Sequence, residues 1–190
     1  MKKSILTCLI VCLIAAHSFA QTSFAKGDNV VGFGIGVGGN LYSGYHYSNI
    51  KRIPAITASY EHCVVGSLWD NKSSLGVGGI VGYTSAKWDD KSKEWGWKVS
   101  HTIIGARCAL HYSFLPQLDT YFGLTLGFDA VSWTWTGKYD KSGGYSRGGS
   151  SGFAWSSYLG ARYYFTDAVG AFAEIGYGFS ALNLGVALKF

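Results

Sequence analysis

Period-two alternation of apolar residues is the feature that most constrains what this chain can fold into, and it is cleanest at the C-terminus. Leu182, Leu184, Val186, Leu188 and Phe190 share one parity, while Asn183, Gly185, Ala187 and Lys189 share the other. This is the pattern of a strand whose two faces meet different surroundings. It runs to a terminal aromatic residue with no polar tail. A soluble protein seldom leaves a bare apolar edge strand, because such an edge recruits other chains. In a closed barrel the same strand is paired on both sides, and its apolar face can meet lipid.

The alternation recurs along the chain. Residues 29–39 carry Val31, Phe33, Ile35 and Val37 on one face, and residues 54–65 carry Ile56, Ala58, Tyr60 and Val64. A third segment begins near Leu75, a fourth ends near Phe114, and a fifth starts near Thr120. The sixth passes through Trp155, Leu159, Ala161, Tyr163 and Phe165, and the seventh through Ala171, Ala173, Ile175, Tyr177 and Phe179. Beyond the N-terminus no stretch approaches the ~20 consecutive apolar residues of a membrane helix. Hydrophobic residues nevertheless make up 48% of the chain, and there are 27 glycines against 2 prolines. The expectation is an all-β fold, an eight-stranded antiparallel up-and-down transmembrane β-barrel.

Residues 1–20 read as a signal peptide, leaving residues 21–190 for the barrel. Lys2 and Lys3 precede an apolar stretch too short to span a bilayer. Ser18-Phe19-Ala20 is a small-x-small cleavage site, and Ser23-Phe24-Ala25 is a second, weaker one. Cys12 follows Leu9-Ile10-Val11, a poor lipobox because a small residue is expected at Val11. Loss of Lys2 and Lys3 lowers the net charge from +5 to about +3, too mild and too scattered for a nucleic-acid binder. Cys63 and Cys108 remain, on strands that are not neighbours, so a disulfide framework is not expected.

Connections sort into two sets. Residues 65–74, 115–119 and 166–170 are short, as on a periplasmic side. Residues 40–53, 88–97 and 136–151 are longer and polar and are expected outside. Trp88, Trp95, Trp97, Trp133, Trp135 and Trp155 fall near the outer strand ends, and Tyr112, Phe114, Phe165 and Phe190 near the inner ends. Two aromatic girdles are expected from this distribution.

With the apolar parity facing lipid, the strand-embedded charges Glu61, Arg107, Asp129, Arg162, Glu174 and Lys189 all take the luminal parity. Sequence proximity across turns pairs Arg107 with Asp129 and Arg162 with Glu174, with Lys189 beside Glu174. Three acids against three bases predict a charge-paired, largely plugged lumen, since eight strands enclose a space that side chains fill. A narrow channel for small or hydrophobic solutes is the alternative.

Other motifs carry less. Gly34, Gly36 and Gly39 match G-x-G-x-x-G, but no helix pattern follows; the luminal glycines, including Gly76, Gly78 and Gly82, make room at the inner face. His101 and His111 are too far apart to share a metal, and no metal-ligand or cofactor motif occurs. Ser100, His101 and Asp129 near the rim raise a third reading, a lipid-modifying enzyme, but no nucleophile is tied to an oriented base. No catalytic residue is assigned. The outer loops are rich in Tyr, Ser and Gly, a mix suited to adaptable contacts, and carry Lys87, Lys91, Lys93, Lys98, Lys138, Lys141 and Arg147 at the level of lipid phosphates. Outer-membrane lipid and lipopolysaccharide are the expected partners, with room for an extracellular ligand that loop chemistry does not name.

This architecture resembles the small bacterial outer-membrane β-barrel families: OmpA-type transmembrane domains, OmpX-like and OmpW-like proteins. The last strand also resembles their assembly signal, with Asn183, Gly185, Leu188 and Phe190 at the matching positions. The resemblance implies recognition by the barrel-assembly machinery and residence in the outer membrane of a Gram-negative bacterium, in a non-enzymatic structural or surface-interaction role.

Overall fold

The computed structural model describes residues 23–39, 50–90, 95–135 and 150–190. Its strands are β1 (Asn29–Val37), β2 (Ile50–Arg52), β3 (Ala55–Gly66), β4 (Ser73–Asp90), β5 (Trp95–Leu115), β6 (Leu118–Trp135), β7 (Gly152–Tyr164), β8 (Val169–Tyr177) and β9 (Leu182–Lys189). Eight of them pair antiparallel with their chain neighbours, and β1 pairs with β9 to close the ring. Val31 faces Leu188 and Val37 faces Leu182 across that seam. The expected eight-stranded barrel is therefore what forms. The short β2 is additional: it lies in the expected outer loop at 40–53 and pairs with Trp88, Lys87 and Ala86 of β4.

The alternation sets the two faces. Phe33, Ile35, Ile104, Phe122, Leu126, Leu159, Ile175, Leu184 and Val186 are each at least half exposed on the outer face. Such an apolar belt has no stable home in water. Inside, small residues leave space for large ones. Tyr121 of β6 lies opposite Gly160 of β7, and Tyr158 of β7 opposite Gly123 of β6. A Cβ on either glycine would collide with the facing ring. Gly39 differs from the luminal glycines with which the sequence groups it. Strand β1 ends at Val37, and Gly38 and Gly39 adopt φ of +73° and +102°, a turn that favours glycine.

Strand lengths are uneven. β5 has 21 residues, and β4 and β6 have 18 each, whereas a membrane strand needs ~9–11. At ~3.3 Å per residue and a ~40° tilt, β5 rises roughly 50 Å, about twice the lipid band. The segment 88–97, expected as a polar loop, is mostly strand: Trp88 faces Trp97 and Asp90 faces Trp95. The three tall strands stand together on one side of the ring. The β8–β9 connection, a short hairpin as expected, keeps the opposite wall low.

Candidate functional site

The lumen is crossed by a closed cycle of four side chains from four strands. His111 on β5 bonds Glu61 of β3 through Nε2 at 2.6 Å, and its Nδ1 lies 2.9 and 3.0 Å from the two carboxylate oxygens of Asp119 on β6. Arg162 on β7 completes the cycle, donating to Glu61 Oε2 at 3.1 Å and to Asp119 Oδ2 at 3.3 Å. Two ionised carboxylates satisfy both ring nitrogens only if each carries a proton, so the cycle holds two anions and two cations. Asp119 is fully buried. Burying ions is costly, and this arrangement offsets the cost because every member has two charged partners.

A second group lies farther along the barrel axis. Arg107 on β5 donates to Glu174 Oε1 on β8 at 2.8 Å, and the Tyr121 hydroxyl donates to the same oxygen at 3.0 Å. Asn183 of β9 donates to Glu174 Oε2 at 3.2 Å and accepts from Thr57 at 3.3 Å. The guanidinium of Arg107 lies 4.5 Å from the centre of the Tyr158 ring, and that of Arg162 lies 5.1 Å from Tyr121, distances at which cation–π attraction adds to the pairing. Together the two groups draw on every barrel strand except β1 and β4.

All six charges read from the sequence lie on the inner face, but their partners differ from those expected. Asp129 stands opposite Ile103, four positions from Arg107, and bonds His101 Nδ1 at 2.7 Å instead. Glu174 faces Gly160, whereas Arg162 faces Phe172, so Arg162 and Glu174 are not cross-strand partners. Lys189 turns away from Glu174 to the terminal end, 3.9 Å from Asp28. Long side chains reach across a narrow barrel as easily as along its wall. Counting over turns therefore gives the wrong partner in all three cases. Sequence proximity gives no sign that Asp119, His111 and His101 belong to the network. Luminal parity marks all three, and starting β6 at Leu118 rather than Thr120 brings Asp119 into the strand.

Ser100 does not join His101 and Asp129. Its side chain is on the outer face, 3.5 Å from the Ser132 carbonyl oxygen, while the other two point inward. Cys63 is buried and Cys108 exposed on the outside, and both are free thiols. Among the described residues no group of His, Cys, Asp and Glu is arranged to hold a metal ion. In the last strand Asn183 is part of the luminal network, while Leu188 and Phe190 are exposed outward.

Above the belt the two faces exchange character. On β5 the outward series runs Leu110, Ile104, Thr102, Ser100, Lys98, and the inward series runs His111, Arg107, Ile103, Val99, Trp97. On β6 the outward face passes from Phe128 to Ser132 and Thr134, and the inward face from Asp129 to Val131, Trp133 and Trp135. Ala86 and Val99 form a small buried core there, with Ile50, Val131 and Trp133 packed against it. Trp97 lies 4.9 Å from Trp135 and 6.3 Å from Trp133, edge to face in both cases. Trp97, Trp133 and Trp135 are thus not part of a lipid-facing girdle. Where strands leave lipid for water the outside must be polar, and apolar side chains turn inward. Trp155 does face outward, 5.3 Å from Tyr177. Between the charged groups and this upper core lies a cavity of about 260 Å³, lined in part by Ile80, Ile103, Thr125, Asp129, Ser156 and Phe179. The remaining residues of the outer loops at 40–49, 91–94 and 136–149 lie outside the described residues.

No protein-family model matches the chain, and no curated protein does. Solved structures do. Ail, the attachment invasion locus protein of Yersinia pestis, in complex with the heparin analogue sucrose octasulfate, aligns at a TM-score of 0.54 and 12% identity, over 87% of this chain and 99% of that one. A de novo designed transmembrane β-barrel aligns at 0.47 and 16% identity, over 90% and 100% of the two chains. The outer-membrane protein OprG from Pseudomonas aeruginosa aligns at 0.45 and 10% identity, over 90% and 99%. The match to Ail agrees with the strand count, the closure and the apolar belt. The fold is that of the small bacterial outer-membrane β-barrels.

Proposed function

We propose that this protein is a sealed outer-membrane barrel whose role is structural and surface-directed: it anchors a raised β-platform, built from the upper parts of β4, β5 and β6 with β2, at the cell surface. The observation that carries the reading is the filled lumen. Ion-paired side chains from five strands, joined by Asn183 of a sixth, cross the barrel in two successive groups, which leaves the outside as the place for function. The short connections, residues 23–28 and Phe190 lie at one end of the barrel, which by the barrel rule is periplasmic, so the platform faces out.

The outer leaflet is the first partner. Lys51 stands opposite Lys87, and Lys87 opposite Lys98, across β2, β4 and β5. All three side chains are exposed on the outward face above the belt. Three cationic side chains on adjoining strands offer a phosphate several charge-assisted contacts at once. Lipopolysaccharide phosphate is the anion available at this height. Purified protein reconstituted with lipopolysaccharide should retain it through washing in low salt, and K51A/K87A/K98A should retain several-fold less. Equal retention by the two proteins refutes this partner. Planar-bilayer recordings test the seal, and discrete conductance steps from the unaltered protein refute it.

The cavity favours a second reading, in which the upper lumen holds a small apolar solute. Beside it lies a much smaller pocket that shares Ile80, Thr125 and Phe179 with it and is lined by Arg107, Tyr158 and Glu174, so the free space narrows toward the charged groups. Solute uptake without ionic conductance supports that reading over a channel.

A further inference from the structure

The lower mouth of the barrel is closed by the chain itself. Residues 23–27 run beneath the ring before β1 begins, and Ser23 and Phe24 are both 1% exposed. The Phe24 ring lies 4.4 Å from His111 and 5.8 Å from the Arg162 guanidinium carbon, and it packs with Val30, Cys63, Phe172 and Ala187. The segment is tied around the rim. Ser74 on β4 donates to the Phe24 carbonyl oxygen at 3.1 Å, and Lys189 of β9 to that of Ser23 at 3.3 Å. The Ser23 and Ser113 hydroxyls are 2.6 Å apart. Gly27 N–H donates to the Cys63 carbonyl oxygen at 3.0 Å, and the Asp28 carboxylate accepts from Ala25 N–H at 2.9 Å. Residues ahead of a first strand ordinarily fray unless they are tied down; these are tied to four strands, with a ring seated on the charge cycle.

We propose that residues 23–27 are a permanent plug of the periplasmic mouth with Phe24 as its stopper, and that maturation therefore cuts after Ala20 rather than after Ala25. The inference rests on the reading of the protein as an exported outer-membrane barrel. The two cleavage sites look alike as small-x-small motifs but have opposite structural consequences. Cutting after Ala20 leaves Ser23 and Phe24 in place. Cutting after Ala25 removes the stopper, uncovers Cys63 and the His111 face, and deletes the contacts made by Ser74, Ser113 and Lys189.

Three measurements on protein purified from outer membranes decide it. The intact mass should correspond to a chain beginning at Gln21; a membrane-inserted barrel beginning at Lys26 overturns the plug while leaving the outer-membrane reading intact. Absence of the protein from outer membranes overturns both. In a C63A/C108A background, S23C/S113C should form an intramolecular disulfide in the oxidising periplasm without added oxidant. Failure to cross-link in a folded barrel that retains residue 23 overturns the docking. In a C108A background, Cys63 should resist a water-soluble maleimide, and F24A should raise its labelling rate at least tenfold. Equal rates in the two proteins overturn the role of Phe24 as stopper. The cross-link still decides docking if F24A does not fold.

Discussion

Replacing Asp119 with alanine tests the luminal cycle at its most buried member. Asp119 accepts one short contact from His111, 2.9 Å at Oδ1 and 3.0 Å at Oδ2, and one longer contact from Arg162 at 3.3 Å. The side chains of Asp119 and His111 are fully buried and that of Arg162 is 5% exposed, so water cannot replace what is lost. A charge-assisted hydrogen bond contributes about 1.5–3 kcal/mol, and an uncompensated buried partner raises the cost to about 3–5 kcal/mol. The cycle gives His111 an escape that Arg162 lacks. Imidazole can release one proton and keep its bond to Glu61, whereas guanidinium cannot. The expected loss for D119A is therefore about 3 kcal/mol, the lower end of that range. Glu61 makes shorter contacts to both cations, 2.6 and 3.1 Å, so E61A should cost more. Urea unfolding in detergent micelles, followed by tryptophan fluorescence, measures both. The double variant D119A/H111A should cost less than the sum of its parts by about 1–3 kcal/mol. A D119A effect below about 1 kcal/mol, with additive behaviour in the cycle, would refute the ring of ion pairs.

Further expectations concern orientation, packing and assembly. In a cysteine-free background, K87C should react with an impermeant maleimide on intact cells and Q117C only after the outer membrane is permeabilised; the reverse pattern inverts the topology. G160A places a Cβ against the Tyr121 ring and should destabilise the barrel by about 1–3 kcal/mol, the usual cost of overpacking. A neutral result in the urea assay means that the ring can move aside. Deleting Phe190, or making F190D, should lower the amount of folded protein in outer membranes; normal insertion of both variants removes Phe190 from the assembly signal.

The number and order of the barrel strands and the direction of their faces were legible in the sequence, because each depends on local alternation; the added β2 was not. Val31 and Leu188, or Tyr121 and Gly160, fall on the correct faces from parity alone, whatever their partners. The inward placement of Glu61, Arg107, Arg162 and Glu174 follows from the same rule. The choice of partners does not. Glu61 meets His111 and Arg162, and Arg107 meets Glu174, across residues 50 to 101 apart in the chain. Only the register and closure of the ring decide which long side chains arrive at one depth. The exchange of faces above the belt is also a tertiary outcome. Trp97, Trp133 and Trp135 continue an uninterrupted alternation, and it is the height of β5 and β6 above the low β8–β9 wall that places them in water with a core of their own. Phe24 is the extreme case. It lies ahead of the first strand, where the periodic pattern is silent, and its burial depends on a mouth that exists only once eight strands have closed.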